Sequence, residues 1–117
     1  MKNKSITVYG IPNCDSVKKA RTWLTDQGLA YEFHDFKKLG VPEAELSRWV
    51  YSAGWETVLN RKGTTWRKLD SATQAAVVDS ASAQALMRSQ ASAIKRPVIA
   101  WPSGQITVGF APEHWPT

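Results

Sequence analysis

The sequence has one cysteine, Cys14, so no internal disulfide can form. This excludes a small secreted domain stapled by disulfides and points to a reducing compartment. Histidine is scarce too. His34 and His114 lie far apart, and with a single thiol they show no metal-ligand spacing, so no metal site is expected. No apolar run is long enough to span a bilayer. The stretch Ile6–Ile11 after MKNKS is too short and interrupted for a secretory signal. The expected location is therefore cytoplasmic, with no membrane partner. Internal repeats, linkers and low-complexity tracts are absent, as are the usual nucleic-acid motifs.

What is present suits one domain with a real core. The chain has 117 residues, 43% of them hydrophobic and 21% charged. Six tryptophans read as core filling. The net charge is +5, but the cations fall in small separate groups, such as Lys18, Lys19 and Arg21, or Lys95 and Arg96. Such dispersal reads as a solvated basic surface, and no direct contact with nucleic acid is expected.

Ser5–Tyr9 is β-branched and aromatic, a strand pattern. A helix is predicted from about Cys14 to Gln27, with Asn13 as N-cap, Gly28 as stop, and Val17, Ala20 and Leu24 on its apolar face. Tyr31–Phe36 reads as a second strand, which gives a βαβ unit. Pro42 opens a helix that buries Leu46, Trp49, Val50 and Ala53 and ends at Gly54. WETVLNRKGTTWRKL reads as a short helix and a loop. Asp70 or Ser71 can cap a helix to Asp79, and Ser82 another to about Gln90. Pro97–Trp101 and Gln105–Val108 form a hairpin around Pro102-Ser103-Gly104, and Pro112 starts at most one helical turn. The natural solution is an α/β fold with a mixed four-stranded sheet and helices around it.

Cys14 stands where strand gives way to helix. Helix starts offer unpaired N–H groups and a dipole that favours negative charge, so the position favours the nucleophilic thiolate. Asp15 opposes this by repulsion and Lys18, one turn on, supports it. The alternative is a small buried residue at a strand–helix turn. In CDSV the place of a second thiol is taken by Val17, so a resolving thiol must come from another molecule. Arg96 precedes Pro97, which forces it into extended geometry. Taken singly, Arg61 and Arg96 read as surface residues, and His34 as an ordinary strand contact.

YGIPNCDSVKKAR, FHDFKK, TVLNRKGTTWRKL, IKRPVIAW and VGF, in that order, resemble the arsenate reductase (ArsC)/Spx/MgsR family over nearly the whole chain, and its YffB-like branch most of all. The resemblance implies a thioredoxin/glutaredoxin-like fold over residues 1–117, with a helical insertion at about 40–92. It implies that Cys14 is the redox nucleophile, that Arg61 and Arg96 are anion-site arginines, and that Pro97 is the proline often cis in this fold. Plasmid-type arsenate reductases carry a histidine where this chain has Gly10, and a third arginine where it has Val108-Gly109-Phe110. Spx regulators usually carry a C-x-x-C pair. The implied activity is thus a glutathione-dependent monothiol reductase, with glutathione or a glutaredoxin-like protein as partner and a small thiol or oxyanion as substrate. Glutathione would be a co-substrate, with no tightly bound cofactor. The alternatives are an Spx-like regulator docking on RNA polymerase, and an arsenate reductase proper.

Overall fold

The computed structural model describes residues 5–117; Met1–Lys4, part of the stretch weighed above as a signal, lie outside them. The chain forms two compact units, the described residues up to Leu39 with Arg96–Thr117, and Gly40–Lys95.

In the first unit lie β1 (Ile6–Gly10), α1 (Asp15–Asp26), β2 (Tyr31–Asp35) and α2 (Phe36–Leu39). Two late strands complete its sheet, β3 (Val98–Ala100) and β4 (Ile106–Val108). The sheet order is β2-β1-β3-β4. β1 pairs parallel with β2 and antiparallel with β3, and β3 pairs antiparallel with β4, so the sheet is mixed as expected.

Val17, Ala20 and Leu24 recur at helical spacing and are fully buried. Ala20 and Leu24 join Ile6, Val8, Ile99, Trp101 and Trp115 in one apolar cluster. Truncating Leu24 there to Ala would cost ~2–5 kcal/mol. The C-terminus of α1 closes with a Schellman pair: Gly28 N–H donates to the Thr25 carbonyl and Leu29 N–H to that of Leu24. Arg21, one of the dispersed cations, lies with its guanidinium carbon 4.1 Å from the Phe33 ring centroid. Its Nε donates to the Tyr31 hydroxyl at 3.0 Å.

One boundary differs from expectation, and the final turn is as short as expected. β2 stops at Asp35, because the Asp35 Oδ1 accepts from the Lys37 N–H at 2.8 Å and turns the chain into α2, which takes up Phe36. At the C-terminus Pro112–His114 is a single 3-10 turn. It delivers Trp115, buried, against the rings of Trp23, Trp101 and Phe110 at 5.1, 5.4 and 5.6 Å.

The second unit holds α3 (Glu43–Ala53), α4 (Trp55–Val58), α5 (Thr64–Arg67), α6 (Ser71–Ala75), α7 (Ser80–Ser89) and a 3-10 turn at Ala91–Ala93. α3 buries Leu46, Trp49 and Val50 as predicted but leaves Ala53, at its last position, only partly buried, and Gly54 caps it. α5 replaces part of the expected loop. Asp70 caps α6, which ends at Ala75 and not at Asp79. Asp79 instead caps α7: its carboxylate accepts from the Ser82 N–H, and the Ser82 hydroxyl accepts from the Asp79 N–H. Ser82 is thus the third residue of the helix and not its cap. The backbone and then the side-chain hydrogen bonds from Ser82 hold the Asp79 carboxyl below the usual aspartate range. Those from the Thr73 side chain and backbone do the same for Asp70.

Candidate functional site

β1 runs straight into the segment that carries the thiol. Cys14 is itself the N-cap of α1, with extended backbone (φ −146°, ψ 124°), and its carbonyl accepts the first helical hydrogen bond from the Lys18 N–H at 2.9 Å. Asn13, expected as the cap, is one residue outside and exposed. The difference matters chemically. An N-cap side chain is the one aimed at the orphan N–H groups of the first turn, where Ser or Asp oxygens usually accept. The partly exposed Cys14 side chain lies at this end of the helix and makes no capping hydrogen bond of its own. Asp15 opens the first turn, exposed to solvent.

The sheet register brings the Arg96–Pro97 pair to the same end. Tyr9, next to last in β1, faces Val98, the first residue of β3, so the Arg96–Pro97 pair that leads into β3 lies at the end of the sheet where β1 runs out toward Cys14. The Arg96–Pro97 peptide is cis, the form expected from the resemblance. Pro97 is fully buried, and its carbonyl accepts from the Gly109 N–H at 2.8 Å. Arg96 is half-buried, with its Nε inside the protein. His34, opposite Tyr9 on β2, packs against the Tyr9 ring at 5.1 Å with the rings tilted by 42°, an ordinary strand contact as read from the sequence.

Arg61 belongs to the other unit. Leu59 bridges Ile94, flanked by hydrogen bonds from the Asn60 N–H to the Ala93 carbonyl and from the Lys95 N–H to the Val58 carbonyl. This short ladder fixes the turn that follows, where the Asn60 side chain accepts from the Lys62 N–H. Arg61 is exposed, 5.5 Å from the Trp55 ring centroid. With Lys62, Lys95 and Glu56 it lines a cleft of about 270 Å³. Lys95, one of the dispersed cations, is held at the same cleft as Arg61 by the bond from its N–H to the Val58 carbonyl.

Two glycines were noted only as departures from arsenate reductases, and the structure shows why they are glycine. A Cβ on Gly10 would lie 2.7 Å from Cγ2 of the fully buried Val17. Gly109 is buried at φ 90°, a region side-chain-bearing residues rarely occupy. A side chain at 10 would have to displace Val17, and one at 109 would be strained by the backbone. Among the described residues no three His, Cys, Asp or Glu side chains cluster as a metal site would, and no helix is long and apolar enough to cross a membrane.

The chain is similar to known proteins over most of its length. An uncharacterized protein of Haemophilus influenzae is 37% identical over 105 residues, 90% of either chain. A solved protein named YffB is 50% identical, with a TM-score of 0.87 over 93% of this chain and 94% of its own. The solution structure of an arsenate reductase (ArsC) related protein from Brucella melitensis is 48% identical, with a TM-score of 0.74 over 97% of this chain and 92% of that one. The fold is the thioredoxin-like one of these neighbours. The ArsC family model matches residues 9–117, from the end of β1 through the final tail, and the chain belongs to the ArsC family.

Proposed function

We propose that this protein is a monothiol reductase that uses glutathione and has Cys14 as its nucleophile. The observation that carries the reading is that the chain's one cysteine is the N-cap of α1, partly exposed, at the end of the sheet where Arg96 and Pro97 also lie. Family membership supports the same chemistry.

The Cys14 thiolate attacks one sulfur of a substrate disulfide. A protein mixed disulfide forms and the other substrate sulfur leaves as thiolate, taking a proton from solvent. The position three residues on is Val17, buried and packed, so no second protein thiol can resolve the adduct. A glutathione thiolate attacks the outer sulfur and frees Cys14, and a second glutathione reduces the resulting glutathione mixed disulfide. The sum is one disulfide reduced to two thiols and two glutathiones oxidised to one disulfide. Arg96 supplies a charge-assisted contact to carboxylates of glutathione or an anionic substrate. Arg61, matched to the family's anion-site arginines by its LNRKG setting, is assigned the same charge role.

Arsenate reduction is the weaker reading, since Gly10 and Gly109 stand where two further site groups would be and a side chain at either position is disfavoured. A coupled assay tests the proposal: glutathione, a model disulfide, and glutathione reductase with its nicotinamide cofactor. Turnover by wild type and none by Cys14→Ser is the expected result. Equal rates for both proteins would end the reading.

A further inference from the structure

One concave surface of the sheet unit is unused by this mechanism. A groove of about 360 Å³ runs along α1 and is lined by Lys18, Lys19, Thr22, Trp23, Asp26 and Phe110. Its walls are aromatic and fixed. Trp23 and Phe110 both stand edge-on to the buried Trp115, at interplanar angles of 87° and 85°. Phe110 is nevertheless 36% exposed, a large apolar side chain held in the open. The hydrogen bond from the Gly109 N–H to the Pro97 carbonyl ties its backbone to the start of β3. The rim carries two lysines against one aspartate, so the groove favours an anion. Its Lys18 end is the nearer to the thiol along α1: Lys18 lies one helical turn, a rise of roughly 6 Å, beyond Cys14, and Thr22 one turn further on the same face.

We propose that this groove is a subsite for the leaving half of the Cys14 substrate, and that it selects disulfides bearing an aromatic or bulky apolar group together with a carboxylate. The proposal rests on the reductase reading and narrows its substrate class. An aromatic ring enters between Trp23 and Phe110, and the carboxylate meets Lys18 or Lys19. Neutral aromatic disulfides gain only the first contact, and aliphatic anionic ones only the second. The thiol exchange is unchanged: Cys14 sulfur bonds to the substrate sulfur nearer the thiol, and the aryl thiolate departs along the groove.

The experiment measures stopped-flow rates of reduced protein with three probes: 5,5′-dithiobis(2-nitrobenzoate), 4,4′-dithiodipyridine and oxidised glutathione. Each rate is divided by that of a free thiol with the same probe, which removes leaving-group differences. Phe110→Ala should slow both aromatic probes by roughly three- to tenfold and leave oxidised glutathione within about twofold. Lys19→Gln should slow the nitrobenzoate more than the neutral pyridine. Circular dichroism of the variants shows that the fold is kept. If both substitutions change all three probes equally, or none, the groove is not a subsite and the reductase reading stands. If wild-type Cys14 reacts with none of the probes faster than a free thiol, the reductase reading itself fails, and the subsite with it.

Discussion

Gly10→Ala is a one-carbon change with a calculable consequence. The added Cβ would sit 2.7 Å from Val17 Cγ2, against an optimum of ~3.5–4.0 Å for two carbons. Val17 cannot turn away cheaply: it is fully buried, and a β-branched side chain inside a helix has essentially one rotamer. Relief requires α1 to move by about 1 Å or Val17 to leave its rotamer, and overpacking of this kind costs ~1–3 kcal/mol. At about 4 °C per kcal/mol for a chain of this size, the melting temperature should fall by roughly 4–12 °C. The assay is urea denaturation followed by tryptophan fluorescence, with a common slope across the variants. Val17→Ala removes the opposing methyl at its own cost of ~1.5–3 kcal/mol. Gly10→Ala in that background should then be nearly free, giving a coupling of ~1–2 kcal/mol. A Gly10→Ala protein within ~0.5 kcal/mol of wild type, or strict additivity of the two changes, would refute the close-approach reasoning. It would also reopen position 10 to the histidine of arsenate reductases.

Further outcomes follow from other parts of the chain. Arg96→Ala should slow the reaction of Cys14 with oxidised glutathione about tenfold, as loss of a charge-assisted contact predicts, and leave an uncharged disulfide within about twofold; equal effects on both would place Arg96 outside the site. Arsenate turnover with glutathione and glutaredoxin should be poor, since one missing preorganised donor costs ~10²–10³ in rate; rates matching an authentic arsenate reductase would contradict this. Asp79 is held below the ordinary aspartate range in the folded protein by its Ser82 hydrogen bonds. Its stabilisation is therefore present above ~pH 4 and is lost as pH falls through the lowered value. Asp79→Asn keeps a capping oxygen and should flatten the acid limb of a melting-temperature profile, whereas an unchanged limb would deny the cap its charge.

The sequence was most legible where one local rule acted alone. Apolar spacing at Val17, Ala20 and Leu24 marked the buried face of α1, and the strand patterns named all four strands of a mixed sheet to within one or two residues. Legibility failed where two polar residues competed for one role. Asp79 and Ser82 can each cap a helix, and only the reciprocal hydrogen bonds show that both serve the same end, with Asp79 outside and Ser82 inside. Asn13 lost the cap of α1 to a cysteine that no propensity scale would choose. Contacts distant in sequence left no local trace at all. Nothing in PEHWPT signals that Trp115 fills the space against Trp23 and Trp101, and nothing in VGF signals that Gly109 donates to Pro97. At the site, Cys14 and the Arg96–Pro97 pair were readable as residues, but the register that sets the pair beside the end of β1 needed the sheet.

The most direct test of the central claim is mass spectrometry of the reduced protein after incubation with oxidised glutathione. A reductase whose nucleophile is Cys14 should gain one glutathionyl group, located by peptide mapping at Cys14 and released by added reduced glutathione. No adduct at Cys14, or one that reduced glutathione cannot remove, would contradict the mechanism.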